Sequence, residues 1–378
     1  MNIIIAPDSF KGSLTSTNAA TVMKDAVLSV FPNCHVELKP MADGGEGTLE
    51  SLLTSLNGEK VTVRCMGPLG DYIQSSYGIV KGKTAIIEGA NIAGLPQVPL
   101  EKRNPDLTTS YGIGEVLLDA VEKGCTSFII CLGGSATNDG GLGMLMALGL
   151  KAWDENGREV GPFGSDLLKV AKISFTELHQ NLTSLEFKVA CDVDNPLCGE
   201  RGASRVFGPQ KGATKEQTIC YDNALDKFGS LIEAEMNQEL KEIPGAGAAG
   251  GLGFAFLALG ASLISGAELV ANTLNLEQAI KEADLVITGE GQSDEQTLYG
   301  KAPGFVADLS NKYHVPAVLI SGSLSGNIDR LRKKFAGCFS IINKPLTLEE
   351  CMDRAEELLY EQTKQVIHFM KVIHGKRK

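Results

Sequence analysis

"SYGIGEVLLDAVEKGCTSFIICLGGSATNDGGLGMLMALG", residues 110 to 149, decides the fold. Ile113, Val116, Leu117 and Ala120 recur at helical spacing, and "SFIICL" (127–132) then forms a short, unbroken apolar run that reads as a strand. A loop, "LGGSATNDGG" (132–141), separates that run from a second apolar stretch. A plain connection needs one glycine; this one has four, with Ser135, Thr137, Asn138 and Asp139 between them. Glycines let the backbone approach a ligand closely, and the free N–H groups of a following helix suit an anion. The competing reading is a tight turn in which Asn and Asp only cap the helix.

The same grammar runs along the chain. "NIIIA" reads as a strand, and Thr17 can cap a helix carrying Met23, Ala26, Val27 and Val30. "HVELKP" is a second strand, and a helix on Leu49, Leu52, Leu53 and Leu56 follows, closed by Gly58. Near the end come "LVITG", a helix with Pro303 in its first turn, "AVLIS", a short helix and "CFSII". A long amphipathic helix from about 348 finishes with the basic tail "GKRK". Strands alternating with helices imply a parallel sheet covered on both faces. The expected fold is therefore α/β: a doubly wound (Rossmann- or flavodoxin-like) domain made of 1–64, 101–150 and 275–378. Residues 65–100 and 151–274, where the rhythm breaks, form a second α/β domain inserted into it.

Composition narrows the function. The 378 residues exceed a single ordinary core, and 43% hydrophobic with 21% charged residues is usual for a globular protein. A net charge of −11 disfavours a nucleic-acid or anionic-membrane partner. Nine cysteines without a C-x-x-C pair read as reduced core residues, and the N-terminus lacks a secretory pattern, so the expected location is the cytoplasm.

Polar residues cluster at further strand ends. "APDSFKGS" places Asp8, Ser9 and Lys11 after the first strand; "ADGGEGT" places Asp43, Gly44, Gly45 and Glu46 after the second. "ACDVDNPLCG" carries Asp192, Asp194 and Asn195, oxygen ligands of a kind that suits Mg²⁺. "FGPQKGAT" adds Gln210 and Lys211, with Arg205 upstream, and "ITGEGQSDEQTLYGK" adds Glu290, Ser293, Asp294 and Lys301. "GAGAAGGLG" contains G-x-G-x-x-G, but "MNQELKEIP" before it looks helical and ends in a proline, where the dinucleotide fingerprint needs a strand, so a dinucleotide site is not expected. A phosphate-cradling helix start, or close packing, remains for Gly245, Gly247, Gly250 and Gly251. Walker A, H-E-x-x-H and the protein-kinase set are missing, and no histidine lies in these loops. Aspartate, lysine, Mg²⁺ and glycine backbone are the equipment of phosphoryl transfer.

"IIIAPDSFKGSL", "ADGGEGT", "GPLGD", "LGGSATNDGG", "ACDVDNPLCG", "FGPQKGA", "PGAGAAGGLG" and "LVITGEGQSD" together resemble the bacterial glycerate kinase family (type 1), in order from residue 3 to about 345. The resemblance implies an ATP-dependent kinase that converts D-glycerate to 2- or 3-phosphoglycerate, with two α/β domains around a cleft. On that expectation ATP phosphates lie against the glycine loops at 133–141 (Gly133, Gly134, Ser135, Thr137, Asn138) and 245–251. Mg²⁺ is held by Asp192, with Asp43 or Asp139. Lys11, Arg205 or Lys211 holds the carboxylate or neutralises the transferring group, and Asp192 or Asp8 orients the attacking hydroxyl. A kinase for another small sugar acid, or a non-catalytic metabolite sensor, are the alternatives.

Overall fold

The computed structural model of the chain describes residues 1–179 and 182–375; the last three residues of the basic tail lie outside them. Eleven strands build two main sheets. In chain order they are β1 (Asn2–Ile5), β2 (His35–Leu38), β3 (Glu59–Met66), β4 (Tyr72–Val80), β5 (Thr84–Glu88) and β6 (Ser127–Cys131). Then follow β7 (Glu186–Ala190), β8 (Ser262–Ile264), β9 (Leu285–Thr288), β10 (Ala317–Ser321) and β11 (Gly337–Ser340). The chain divides into two compact units. Unit 1 holds Met1–Asp43, Glu50–Leu56 and the chain from Ala267 onward; unit 2 holds Gly44–Leu49 and Asn57–Gly266.

Unit 1 carries a five-stranded, wholly parallel sheet in the order β11-β10-β9-β1-β2. Its central strands are continuous apolar runs because helices cover both faces: every residue of β9 and β10 is buried. Ile3, Ile5, Ile287 and Ile320 share one core with Met23 and Val27 of the helix Ser16–Val30 and with Leu359 and Ile367 of the C-terminal helix. The first helix is capped two residues earlier than expected. Thr15, in extended conformation, accepts a hydrogen bond from the Asn18 N–H at 3.2 Å, leaving Thr17 inside the helix. β1 lies between β2 and β9, so the chain leaves it on one side and returns on the other. Such a switch point, at the carboxyl ends of β1 and β9, is where open α/β sheets bind ligands.

Unit 2 carries a six-stranded sheet in the order β8-β7-β6-β5-β4-β3. β5 to β8 run parallel, while β3 and β4 form an antiparallel border. Here the structure departs from the expected grouping. Residues 101–150 do not join the first strand's sheet, because β6 pairs with β5 and β7 and its helix Tyr111–Glu122 packs in unit 2's core. A buried strand flanked by helices reads alike whichever parallel sheet receives it. The expected helix around "MNQELKEIP" also fails: the helix Lys215–Met236 ends as Asn237 turns left-handed, at φ 52°. No helix among the described residues is long and apolar enough to cross a membrane.

Replacing Ile287 by Ala, in the fully buried β9, should cost about 2–5 kcal/mol. The check is a lower denaturation midpoint for unit 1; an unchanged midpoint would contradict the core described.

Candidate active site

In unit 1 three loops leave the carboxyl ends of β1, β2 and β9. Asp8, two residues beyond the apolar run of β1, donates its backbone N–H to the Gly289 carbonyl at 2.8 Å, which ties the two loops of the switch point together. Its side chain is only 8% exposed and accepts the Ser9 N–H at 2.6 Å. Burial, reinforced by repulsion from Asp43 and Glu290, pushes the Asp8 carboxyl up to about 7, against the opposing pull of the Ser9 N–H and Lys11. Lys11 Nζ lies 3.6 Å from the Asp43 carboxylate and is otherwise well exposed. Glu290 is buried; its Oε1 accepts from Ser293 Oγ (2.9 Å) and Thr297 Oγ1 (2.6 Å), and Lys301 Nζ stands 3.7 Å from Oε2. Ser293 also meets Ser321 Oγ at 2.7 Å, fixing the end of β9 to that of β10. Asp8, Lys11, Asp43 and Glu290 thus gather at one sheet edge. Asp294 instead caps the short turn after it, accepting the Gln296 N–H.

In unit 2 the carboxyl ends of β5, β6 and β7 lie side by side. Glu88, the last residue of β5, is buried and accepts the N–H groups of Gly47 and Leu49, both at 3.2 Å, so it anchors the glycine loop 44–47. Within that loop Gly44 is buried and Glu46 exposed. Gly133 approaches it so closely that a Cβ there would lie 3.0 Å from Gly45 Cα. After β7, Asp192 is exposed and accepts the Gly266 N–H at 2.9 Å. Asp194 pairs with Arg201 at the surface.

The loop 132–141 is built differently from its expected form. The helix it introduces, Leu142–Ala147, is six residues long, and its first N–H groups point at the protein's own Asp139. Asp139 is fully buried and accepts from Ser110 N (2.9 Å), Ser110 Oγ (2.7 Å), Gly141 N (3.1 Å) and Gly143 N (3.3 Å). With four donors on its two oxygens, Asp139 is a cap for this turn, not a metal ligand. Gly133 and Gly134 remain exposed, and Ser135 lies just beneath them. Under that rim sits Lys211, 2% exposed, donating to Ser135 Oγ at 3.1 Å and to the Thr137 carbonyl at 2.6 Å. Burial lowers its ammonium to about 7, although the Asp139 charge works the other way. Asn138 donates to Ser204 Oγ at 2.9 Å, while Thr137 Oγ1 and Asn138 Oδ1 are buried without a partner.

The second glycine cluster packs instead of presenting donors. Gly245, Gly247, Gly250 and Gly251 are all buried. A Cβ at Gly250, where φ is +72°, would lie 2.1 Å from the Thr137 carbonyl oxygen; one at Gly247 would lie 2.2 Å from that of Pro196. Only glycine lets these backbones touch. Arg205 is engaged with Asp222 at 3.4 Å, and Gln210 is exposed on the turn before Lys211. Sequence reasoning passed over Glu88 and Thr297. Glu88 carries the same signal as Asp8, an acid closing an apolar strand.

No three histidine, cysteine or carboxylate side chains group into a metal cage among the described residues. Mg²⁺ does not require one, since it is usually held by one or two carboxylates plus substrate phosphates. The exposed Asp192 fits that donor set.

Acid-bearing strand ends in one parallel sheet, and a buried lysine under a glycine loop in another, define the class: a two-unit α/β enzyme handling small charged substrates. A sequence profile of the glycerate kinase family matches residues 3–371. The glycerate kinase of Halalkalibacterium halodurans is 44% identical over 367 residues, 96% of this chain and 97% of that one. The glycerate 2-kinase of Escherichia coli K12 is 43% identical over 369 residues, 97% of each chain. The crystal structure of a protein described as glycerate kinase 2 from Salmonella typhimurium LT2 matches with a TM-score of 0.91 and 40% identity, over 100% of both chains. The chain belongs to the glycerate kinase family, and it is an enzyme of that activity.

Asp8 also makes a stability prediction. Its carboxyl titrates higher in the folded than in the unfolded chain, so ionising it penalises folding, and the penalty grows as pH rises from about 4 to about 7. Asp8→Asn should therefore raise thermal stability above about pH 7, by at most about 4 kcal/mol, and change little near pH 4. Melting curves at the two pH values check this; a variant less stable at high pH would contradict the burial argument.

Proposed function

We propose that the enzyme transfers the γ-phosphoryl group of ATP to D-glycerate, at the 2-hydroxyl, with Mg²⁺ required. The observation that carries the reading is the Asp8 carboxyl, buried at the switch point and held near neutrality by its surroundings. A general base works best with a pKa close to the operating pH. As the carboxylate, Asp8 accepts the proton of the attacking hydroxyl; burial, with Asp43 and Glu290 adding to it, keeps its proton affinity high enough for that task. Lys11 is the exposed cation of the same edge, suited to an anionic reactant. In unit 2 the exposed backbone of Gly133 and Gly134, with Ser135 and Lys211, receives negatively charged oxygens. Arg205 and Gln210 stand on the segment leading to Lys211 and serve as outer donors.

Asp192 would hold the Mg²⁺, with Asp43 the second candidate. When bound, the ion neutralises charge on the phosphoryl oxygens. The choice of the 2-hydroxyl follows the name of the 43%-identical Escherichia coli relative. Glycerate over a longer sugar acid is supported by the shared name of the relatives at high coverage. The nine cysteines, free thiols among the described residues and without a C-x-x-C pair, suit a reducing compartment, the cytoplasm.

Incubation with ATP, Mg²⁺ and D-glycerate, followed by ³¹P NMR, should give 2-phosphoglycerate; 3-phosphoglycerate would reassign the attacking hydroxyl, and no product would end the proposal. Asp8→Asn should lower kcat about 10²–10⁴-fold, the usual worth of a general base. The wild-type kcat, at saturating substrates, should climb with pH through about 7 and then level off, because only the ionised carboxyl accepts the proton. A flat profile there would remove Asp8 from that role. Asp192→Asn should raise the Mg²⁺ concentration needed for half-maximal activity; an unchanged requirement would place the ion elsewhere.

A further inference from the structure

Lys211 is buried without a counter-charge beside it. Its amine is nearly inaccessible, and both oxygens it reaches, Ser135 Oγ and the Thr137 carbonyl, are neutral. Among the described residues no carboxylate stands within ion-pair range of it. Asp139, on the same loop, is the charged group whose field reaches Lys211, and its oxygens are already taken by four other donors. Arg205, on the helix before Lys211, is paired with Asp222, and Arg103 meets the next residue, Gly212, with its backbone carbonyl. A buried ammonium without a counter-charge is costly, and the chain relieves that cost by giving up the proton. Two more polar atoms of this loop, Thr137 Oγ1 and Asn138 Oδ1, are buried without partners. Two orphaned polar atoms on the loop, and an amine without a counter-charge donating to that same loop, are together the mark of a place that takes a ligand.

We propose that Gly133, Gly134, Ser135 and Lys211 form an oxyanion site, and that an anion binding there brings a proton with it, taken up from solvent by Lys211. The anion is a carboxylate or a phosphoryl oxygen of the reactants. This deepens the phosphoryl-transfer reading and rests on it. The arriving negative charge favours the ammonium over the amine, and the ammonium then has a third N–H for the ligand. Burial has already brought the amine of the unliganded molecule close to neutrality, so the exchange falls within an accessible pH range. Since the liganded state holds the extra proton, affinity declines as pH rises above that range, by up to about tenfold per pH unit.

The test is calorimetric titration of the intact protein, about one pH unit above neutrality, in two buffers of different ionisation heat. D-glycerate and ADP are titrated separately, at a pH where both ligands are themselves fully ionised. The expected result is net proton uptake with one of the two ligands, which identifies the source of the anion. In Lys211→Arg, whose guanidinium is charged throughout, uptake should vanish and the pH dependence of binding flatten while the affinity at low pH is kept. In Lys211→Met, the second variant should the arginine not fit, uptake should vanish and affinity fall at least about tenfold, as for the loss of a charged hydrogen bond. Binding of both ligands without uptake, or uptake persisting in Lys211→Met, would overturn the proposal. The turnover assay separates the two levels: wild-type enzyme that forms phosphoglycerate without proton uptake defeats this inference alone, whereas absence of product defeats the reading beneath it.

Discussion

Burial of the parallel strands on both faces is the constraint from which the rest follows. β9 and β10 have no exposed residue, so a charge along them would have to be desolvated without compensation. Charge is therefore expelled to the strand ends. Asp8 and Glu290 occupy the first positions beyond β1 and β9 at which the chain can leave the apolar layer, and the hydrogen bond from Asp8 N to the Gly289 carbonyl makes the two exits one unit. In unit 2 the same rule places Glu88, the loop 132–141 and Asp192 at neighbouring ends of β5, β6 and β7. The acids are thus consequences of sheet order as much as of chemistry.

How much of each loop remains for a ligand depends on how much the fold consumes. In the loop 132–141, Asp139 spends both oxygens on Ser110, Gly141 and Gly143, and Gly140 donates to the Gly250 carbonyl. Charge-assisted hydrogen bonds to buried backbone are among the stronger ones a chain can make, so these donors are not available to a substrate. Gly250 and Gly247 serve a related purpose, letting the second glycine cluster close down on Thr137 and Pro196. The exposed part contracts to Gly133, Gly134 and the edge of Ser135, and the rigidity of what lies behind them is what makes that rim a defined surface.

This explains which features were legible in the sequence. Apolar runs and helical spacing fixed most strands and helices, and an acid in the loop after a strand marked Asp8, Asp43 and Asp192. Periodicity carries no information on which sheet a buried strand joins, so β6 and its helix were grouped with β1 although they pair with β5 and β7. Nor does a glycine cluster say whether close approach is to ligand or to backbone; Gly250 against the Thr137 carbonyl settles that only in three dimensions. Asp139 looked like a ligand because four donors from separate segments, Ser110 among them, are invisible in a linear string. Glu88 was missed although "TAIIEG" holds the pattern that singled out Asp8. The loop it anchors, 44–47, lies some forty residues earlier in the chain, and only the fold joins the two.

Asp8 and Lys211 belong to separate units and carry opposite charges, yet burial drives both toward their neutral forms. No ion pair is needed to account for either. For Asp8 the neighbouring acids add to the effect, so a positive charge arriving at that edge would favour the carboxylate. For Lys211 an arriving negative charge would favour the ammonium. Each group is therefore more comfortable with charged reactants present than without them. A chain selected only for stability would not keep them so, since filling both places with neutral side chains would remove a folding penalty. The energy withheld from folding becomes available as differential interaction with bound, charged reactants, and only an interaction that changes along the reaction can accelerate it.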